Sequence, residues 1–263
     1  MLLKTAKESD FIAQDSAAFY DGIAPGYDAM TNFRKRFVQE KPFFNLLVQK
    51  YGIRTALDAG AGTGFHSLLL AQLGVQVASV DVSQEMLKRV KSHAREMHLE
   101  IKTFSADFKN VDKEVPGTFD AVISMGNSLA HVLSHEELRT VFRNFMLKLN
   151  TGGILFLQML NYEKILAERK IIQSVKEAGD TIFVRYYEFH HGLLNFNILA
   201  LERKNGVIEH ALHTTLLRPV VKDEVLSALA DAGFAKMKIA GSISMDEFQP
   251  MKSKDLVVLA QRE

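Results

Sequence analysis

Leu57-Asp58-Ala59-Gly60-Ala61-Gly62-Thr63-Gly64 closes a short apolar run that begins at Ile53 and opens a helical stretch from Phe65 to Leu73. Glycines at alternate positions permit positive φ and let ligand atoms approach the backbone with no Cβ in the way. The helix start adds N–H groups that have no partner inside the helix. The spacing discriminates between ligands. A dinucleotide turn wants G-x-G-x-x-G, but counting from Gly60 the sixth position is Phe65. No G-x-x-x-x-G-K-[ST] occurs, so a P-loop is excluded as well. Asp58 would repel a pyrophosphate but favour a ligand carrying an ammonium group. The plainer alternative is a tight strand-to-helix turn with a capping Asp.

Outward from this turn, the run VQVASV ends at Asp81. A carboxylate at that point accepts hydrogen bonds from both ribose hydroxyls and rejects a 2′-phosphate. Its competing role is to favour the dipole of the helix over 83–97. Val82 and Met86 offer an apolar face to an adenine ring, or simply pack in the core. Ala106-Asp107-Phe108 follows a third strand, Glu100 to Phe104. There Asp107 would accept from an adenine amino group with Phe108 against the ring, unless it is a plain turn residue. FDAVIS, Phe119 to Ser124, is a fourth strand, and Ile154 to Gln158 a fifth. Between them Ser134-His135-Glu136-Glu137 is a capping box for a helix.

Strands alternating with helices imply parallel βαβ units with right-handed crossovers. The strands are apolar throughout, as in a sheet covered on both faces. From about 171 to 218 the alternation stops. Three β-rich runs follow, Thr181–His190, Leu193–Lys204 and Val207–Leu217, with Asn205-Gly206 as a hairpin signal. They predict an antiparallel meander inserted into the α/β domain. A helix over Lys222–Ala232 and two last strands, near Ala235–Ala240 and Asp255–Gln261, complete the chain. Residues 1–50 are helical and rich in aromatics, among them Phe11, Phe19, Tyr20 and Tyr27. They predict a lid segment ahead of a main domain over 51–263.

The 263 residues carry 32 Lys+Arg against 31 Asp+Glu, a net charge of +1, with 47% hydrophobic and 24% charged residues. That excludes wholesale disorder and argues against a nucleic-acid partner, which clustered Lys/Arg would bind. The dense basic run Arg34-Lys35-Arg36 is short and predicts a solvated helix face. Cys is absent, which removes thiolate metal sites and cysteine nucleophiles and suits a reducing, cytoplasmic compartment. No run approaches the roughly 18 apolar residues of a membrane span, and MLLKTAKESDF has no secretory character. His190, His191, His210 and His213 fall in the meander and are expected as edge-strand polar residues; no metal is expected.

As a set, LDAGAGTG, VASVDVSQEML, SADF, FDAVISMGNS and LNTGGILFLQ resemble the class I S-adenosylmethionine-dependent methyltransferases over residues 50–160. The resemblance implies a Rossmann-like seven-stranded sheet whose last strand is antiparallel, with helices on both faces. It implies S-adenosylmethionine as cofactor, with Gly60, Gly62 and Gly64 near its methionine part, Asp58, Ala59, Ala61, Thr63, Met125 and Gly126 also in the cofactor site, Asp81 on the ribose and Asp107 at the adenine. Met125-Gly126-Asn127-Ser128-Leu129-Ala130-His131 and Asn161-Tyr162-Glu163 are most similar to the glycine/sarcosine N-methyltransferases. By that similarity Asn127, His131 and Tyr162 face the methyl acceptor, Arg36 holds the cofactor carboxylate, and Tyr20 and Tyr27 close over the site. In that family an arginine before the Asn-Tyr pair binds the amino-acid carboxylate. Here the position is Leu160, which cannot form a guanidinium–carboxylate pair, so a larger or less charged acceptor is expected.

The expected reaction is methyl transfer to a small molecule, at an amine nitrogen, by a monomer or homodimer. The competing readings are O- or C-methylation, a non-catalytic cofactor binder, a methyltransferase acting on RNA or protein, and a nicotinamide oxidoreductase. The glycine spacing disfavours the last.

Overall fold

The computed structural model describes residues 13–31 and 33–263, and leaves the side chains of Arg34 and Lys35 outside that description. The readings placed on the first twelve residues, Phe11 included, and on the Arg34-Lys35 pair therefore lie outside the described residues.

Seven strands form one sheet: β1 (Thr55–Ala59), β2 (Gln76–Asp81), β3 (Ile101–Ser105), β4 (Phe119–Ser124), β5 (Leu149–Leu160), β10 (Phe234–Ala240) and β11 (Asp255–Arg262). Their order is β10-β11-β5-β4-β1-β2-β3. β1 to β5 are mutually parallel, while β11 runs antiparallel to both β5 and β10. The order reverses between β1 and β4, so their carboxyl ends diverge into a crevice, where ligands of open α/β sheets bind.

Side-chain alternation gives each strand two apolar faces. Ala56, Ile123 and Phe156 pack under helices α3 (Phe33–Tyr51) and α4 (Phe65–Gln72). Leu57, Val122 and Leu157 pack under α7 (His135–Lys148) and α9 (Lys222–Asp231). Ser83 caps α5 (Gln84–Glu96) by accepting from the Met86 N–H at 3.0 Å, and Ser134 caps α7 from Glu137 at 3.2 Å. α3 crosses residue 50 and carries the buried Phe44 and Leu47 onto the sheet.

The meander is a separate sheet of four strands rather than three: β6 (Ile172–Ala178), β7 (Thr181–Phe189), β8 (Leu194–Lys204) and β9 (Val207–Leu217). β6 is an edge strand with Ile172 and Val175 exposed, so its sequence lacks the buried apolar alternation that marks the others. Asn205 and Gly206 both have positive φ, 50° and 80°, and join β8 to β9 in a two-residue hairpin, as Asn-Gly dictates.

The N-terminal segment lies across the carboxyl ends of the strands. It consists of α1 (Ser16–Ile23), one 3₁₀ turn (Ala24–Gly26) and α2 (Tyr27–Thr31). Phe19, Ile23 and Met30 are buried against Met86, Phe183 and Ile198. Asp21 accepts from the Ser83 hydroxyl at 2.6 Å and from the Glu85 N–H at 3.2 Å. Lys176 donates to the carbonyls of Ala29 and Met30 at 2.7 and 2.8 Å. Among the described residues no helix is long and apolar enough to cross a membrane.

Candidate active site

A cleft opens between the β1–α4 turn and the N-terminal helices. Gly60, Ala61, Gly62 and Thr63 form its floor. Asp81 and Val82 line it from β2, Asp107 and Phe108 from the loop after β3, and Met125, Gly126 and His131 from the segment after β4. Tyr20, Tyr27 and Arg36 cover it.

The floor is shaped by backbone. Gly60 and Gly62 have φ of +77° and +55°, a region that costs an L-residue strain. A Cβ on Gly60 would stand 2.5 Å from Ser128 Oγ, whereas one on Gly62 would meet only Tyr27, at 3.8 Å. The space above Gly62 is therefore open toward the cleft. The Gly62 N–H donates to one Asp81 oxygen at 2.8 Å and the Ser83 N–H to the other at 2.9 Å. Each oxygen keeps a lone pair for a further donor. Burial outweighs these bonds and raises the Asp81 carboxyl from 3.8 to about 6. A vicinal diol is a fitting partner, since it brings two donors to a carboxylate short of them.

The turn after β4 is also set by left-handed backbone: Gly126 has φ 76° and Asn127 φ 74°. The Gly126 N–H donates to Gln158 at 2.8 Å, and Gln158 donates to Asp255 at 2.9 Å. The Asn127 amide donates to the Tyr162 hydroxyl at 2.9 Å, and its carbonyl accepts the Leu160 N–H at 3.1 Å. His131 Nε2 lies 3.0 Å from the Tyr20 hydroxyl. Burial depresses His131 to about 4, so the ring is neutral at neutral pH. Burial likewise raises the Tyr20 and Tyr162 phenols well above 10, with nearby phenols and the Asp81 carboxylate adding to the effect on Tyr20. The wall opposite the glycine turn is thus polar but uncharged.

Arg36 donates from Nε to Glu40 at 2.9 Å and stacks 4.3 Å over the Phe65 ring. His66 holds the other Glu40 oxygen at 3.1 Å. Asp107 accepts the Lys109 N–H at 2.8 Å, and the Lys109 ammonium pairs with Glu137 at 2.8 Å beside the cleft.

Seven of the residues singled out in the sequence stand behind the wall rather than on it. Asp58 points to the opposite face of β1 from Leu57, because side chains alternate. It is 1% exposed and accepts from the Ser67 hydroxyl of α4 at 2.6 Å. It does not line the cleft. Ala59 and Ala106 are buried at strand ends, and Met86 is fully buried in the cluster under α1. Gly64 begins α4, where a Cβ would press on Val90 at 3.1 Å. Asn127 and Tyr162 engage each other one layer beneath Gly126. Conversely, Ser16, Thr31, Phe65, His66, Lys109, Ser128, Val132 and Glu137 line the cleft without having been singled out. Phe65 and Ser128 directly adjoin the motifs and were within reach. Lys109 and Glu137 meet only through the fold.

The methyltransferase domain family matches residues 56–153. The glycine/sarcosine N-methyltransferase of Aphanothece halophytica is 32% identical over 224 residues, covering 85% of this chain and 82% of the relative. That of Halorhodospira halochloris is 31% identical over 249 residues, covering 91% and 90%. Among solved structures, an S-adenosylmethionine-dependent methyltransferase from Clostridium acetobutylicum superposes with a TM-score of 0.78 at 16% identity, covering 92% of this chain and 98% of that one. The sheet order, the crevice between β1 and β4 and these matches define an enzyme class, the class I S-adenosylmethionine-dependent methyltransferases. Within that class the chain belongs to the glycine/sarcosine N-methyltransferase family.

Proposed function

We propose that the enzyme methylates the nitrogen of a small amine larger than glycine. The observation that carries this reading is the uncharged wall: Tyr20 and a His131 held neutral face the crevice, with Asn127 and Tyr162 behind. An alcohol or phenol acceptor needs a base to become nucleophilic, and a histidine depressed to about 4 is a poor one. An amine arriving as the free base is already a nucleophile and needs only aim and a dry pocket. The Tyr20 phenol oxygen, on the cleft wall, suits that task, since it accepts from an amine N–H without adding charge.

When bound, S-adenosylmethionine supplies an electrophilic methyl carbon on a sulfonium. Gly60 to Thr63 and Gly126 would hold its methionine part, with Arg36 at the carboxylate. Asp81 would take the ribose hydroxyls, and Val82, Asp107 and Phe108 the base. Residues 13–31 serve as a cover that keeps water from the acceptor nitrogen. Leu160, at the end of β5, packs against the core rather than lining the cleft, and as an apolar residue it makes no pair with an amino-acid carboxylate, which favours an acceptor other than glycine. The near-neutral chain favours a free metabolite over a nucleic acid, and the open edges of β6 and β9 would suit a homodimer.

The test is a screen of primary and secondary amines, phenols and carboxylates for release of S-adenosylhomocysteine. Turnover confined to amines is expected, with better rates for acceptors larger than glycine. Preferred turnover of phenols or carboxylates would overturn the nitrogen assignment.

A further inference from the structure

Behind the cleft wall a buried carboxylate joins two residues that stand on it. Glu40 lies four residues beyond Arg36 along α3, so both side chains fall on one face of the helix. Arg36 lines the cleft and Glu40 does not. One Glu40 oxygen accepts from Arg36 Nε at 2.9 Å. The other lies 3.1 Å from His66 Nε2, and since a carboxylate only accepts, that nitrogen carries the proton. His66 stands in the first turn of α4, two residues after the Gly64 cap, and lines the cleft as well. Glu40 therefore ties the arginine of α3 to the helix that grows out of the glycine turn.

An exposed ion pair one helical turn apart fixes little, but this one is not exposed at its acidic end. Glu40 and His66 are each 8% exposed. Burial would raise the Glu40 carboxyl, but the bonds and charges of His66 and Arg36 outweigh it and hold it below the usual carboxylate range. The Arg36 guanidinium also rests 4.3 Å over the Phe65 ring. Phe65 is itself gripped edge-to-face by Phe33 and Phe37, with ring centroids 5.2 and 5.7 Å away. Nε and one face of the guanidinium are thus taken. The two terminal nitrogens make no hydrogen bond among the described residues and are the part of the fork left for the cleft. A free arginine gives up rotamer freedom when it grips an oxyanion, and one already held on two sides gives up less.

We propose that Glu40 is a positioning residue for the cofactor: bridged to His66, it aims the Arg36 fork at the carboxylate of the methionine end. The proposal rests on the reading of Arg36 as the residue at that carboxylate. It adds that preference for the amino-acid tail is set in part by a residue off the cleft wall. A bridge that merely joined α3 to α4 would weaken every ligand of the cleft alike when broken. A positioning residue acts only on ligands that carry the carboxylate.

Titration calorimetry on the full chain with S-adenosylhomocysteine and 5′-methylthioadenosine tests it. The two share the thioadenosine, and only the first carries the amino-acid tail. The wild-type protein is expected to bind S-adenosylhomocysteine at least about tenfold more tightly, and Arg36→Met to cut that margin about fivefold or more. Glu40→Leu should cut it about threefold or more, with affinity for 5′-methylthioadenosine within about twofold of wild type, which also reports that the variant folds. Glu40→Gln, which keeps the shape and one acceptor oxygen but not the charge, should give a margin between those of wild type and Glu40→Leu; if Glu40→Leu does not fold, a margin below wild type in Glu40→Gln decides. Adding Glu40→Gln to Arg36→Met should change nothing further. The proposal is overturned if the Glu40 variants weaken both ligands equally, if they leave the margin intact, or if their effect persists in full on Arg36→Met. Failure of the underlying reading looks different and overturns the proposal with it: Arg36→Met itself then leaves the margin intact.

Discussion

The Tyr20 hydroxyl lies 3.0 Å from His131 Nε2, a contact between residues 111 positions apart that ties the N-terminal helix to the turn after β4. The pair bonds in either sense, the phenol donating to Nε2 or an Nε2–H donating to the phenol, according to which ring nitrogen carries the proton. Tyr20→Phe removes the hydroxyl and leaves Nε2 unpaired. We expect a stability loss of about 1–3 kcal/mol, the usual cost of a stranded buried polar group. The turnover number should fall about ten- to a hundredfold, as for loss of one positioned polar group, with S-adenosylhomocysteine affinity little changed. Thermal melts, calorimetry and initial rates would separate the three quantities.

Gly60 and Gly62 should respond differently to the same methyl group. Gly60→Ala places a Cβ 2.5 Å from Ser128 Oγ at φ +77°, so the free protein itself should lose about 1–3 kcal/mol. Gly62→Ala meets nothing closer than Tyr27 at 3.8 Å. It should cost the free protein about 1 kcal/mol, for the left-handed backbone alone. The new methyl group instead enters the space the cofactor needs, so affinity for S-adenosylhomocysteine should drop far more than stability does. Equal losses of stability in the two variants would contradict the open space above Gly62.

The elements that were legible in the sequence are those decided locally. Alternate glycines after an apolar run, Ser83 and Ser134 before helical stripes, and Asn205-Gly206 between β runs each carry their own backbone reason. β6 was not legible because an exposed edge strand such as Ile172–Ala178 has no buried face to write into its pattern. Asp58 was misread as a cleft residue because proximity to the glycines in sequence says nothing about which face of β1 it takes; the pairing to β2 and β4 decides that. The Lys109–Glu137 pair gave no signal, since it joins segments far apart in the chain.

The cover over the cleft should loosen as pH rises. His93 Nδ1 lies 3.0 Å from the Thr63 carbonyl and Nε2 3.1 Å from Asp28 of α2. Both partners are acceptors, so the doubly protonated ring is favoured and its pKa is raised, chiefly by Asp28. Burial alone would raise Asp28, but the bonds to His93 and Thr63 outweigh it and leave that pKa lowered. A raised histidine contributes stability in full below its unfolded pKa and loses it as pH climbs through the folded one. A lowered carboxyl loses its contribution as pH falls. The latch is therefore strongest between the two values. Hydrogen exchange in residues 16–31 should accelerate from pH 6 to pH 9 beyond the intrinsic trend, and His93→Gln should abolish that extra response.

Cofactor affinity should carry the signature of Asp81. In the free protein burial holds this carboxyl at about 6, against 3.8 for an unperturbed aspartate. Because the folded value is the higher one, the free protein gains stability from Asp81 below pH 3.8 and loses it as pH rises through about 6. Ribose hydroxyls donating to the carboxylate favour its charged form, so the bound state has the lower pKa and binding below about pH 6 must expel a proton. Affinity for S-adenosylhomocysteine should therefore fall as the solution is acidified through pH 6, by up to about tenfold per unit. His131 titrates near 4 and adds nothing in that interval. Calorimetry at pH 5.5 in buffers of different ionisation enthalpy would count the proton directly. Asp81→Asn, which offers one acceptor oxygen to the two backbone N–H groups of Gly62 and Ser83, should bind S-adenosylhomocysteine at least about a hundredfold more weakly and show no release of a proton. An unchanged affinity between pH 7.5 and pH 5 would mean that the ligand does not lean on this carboxylate.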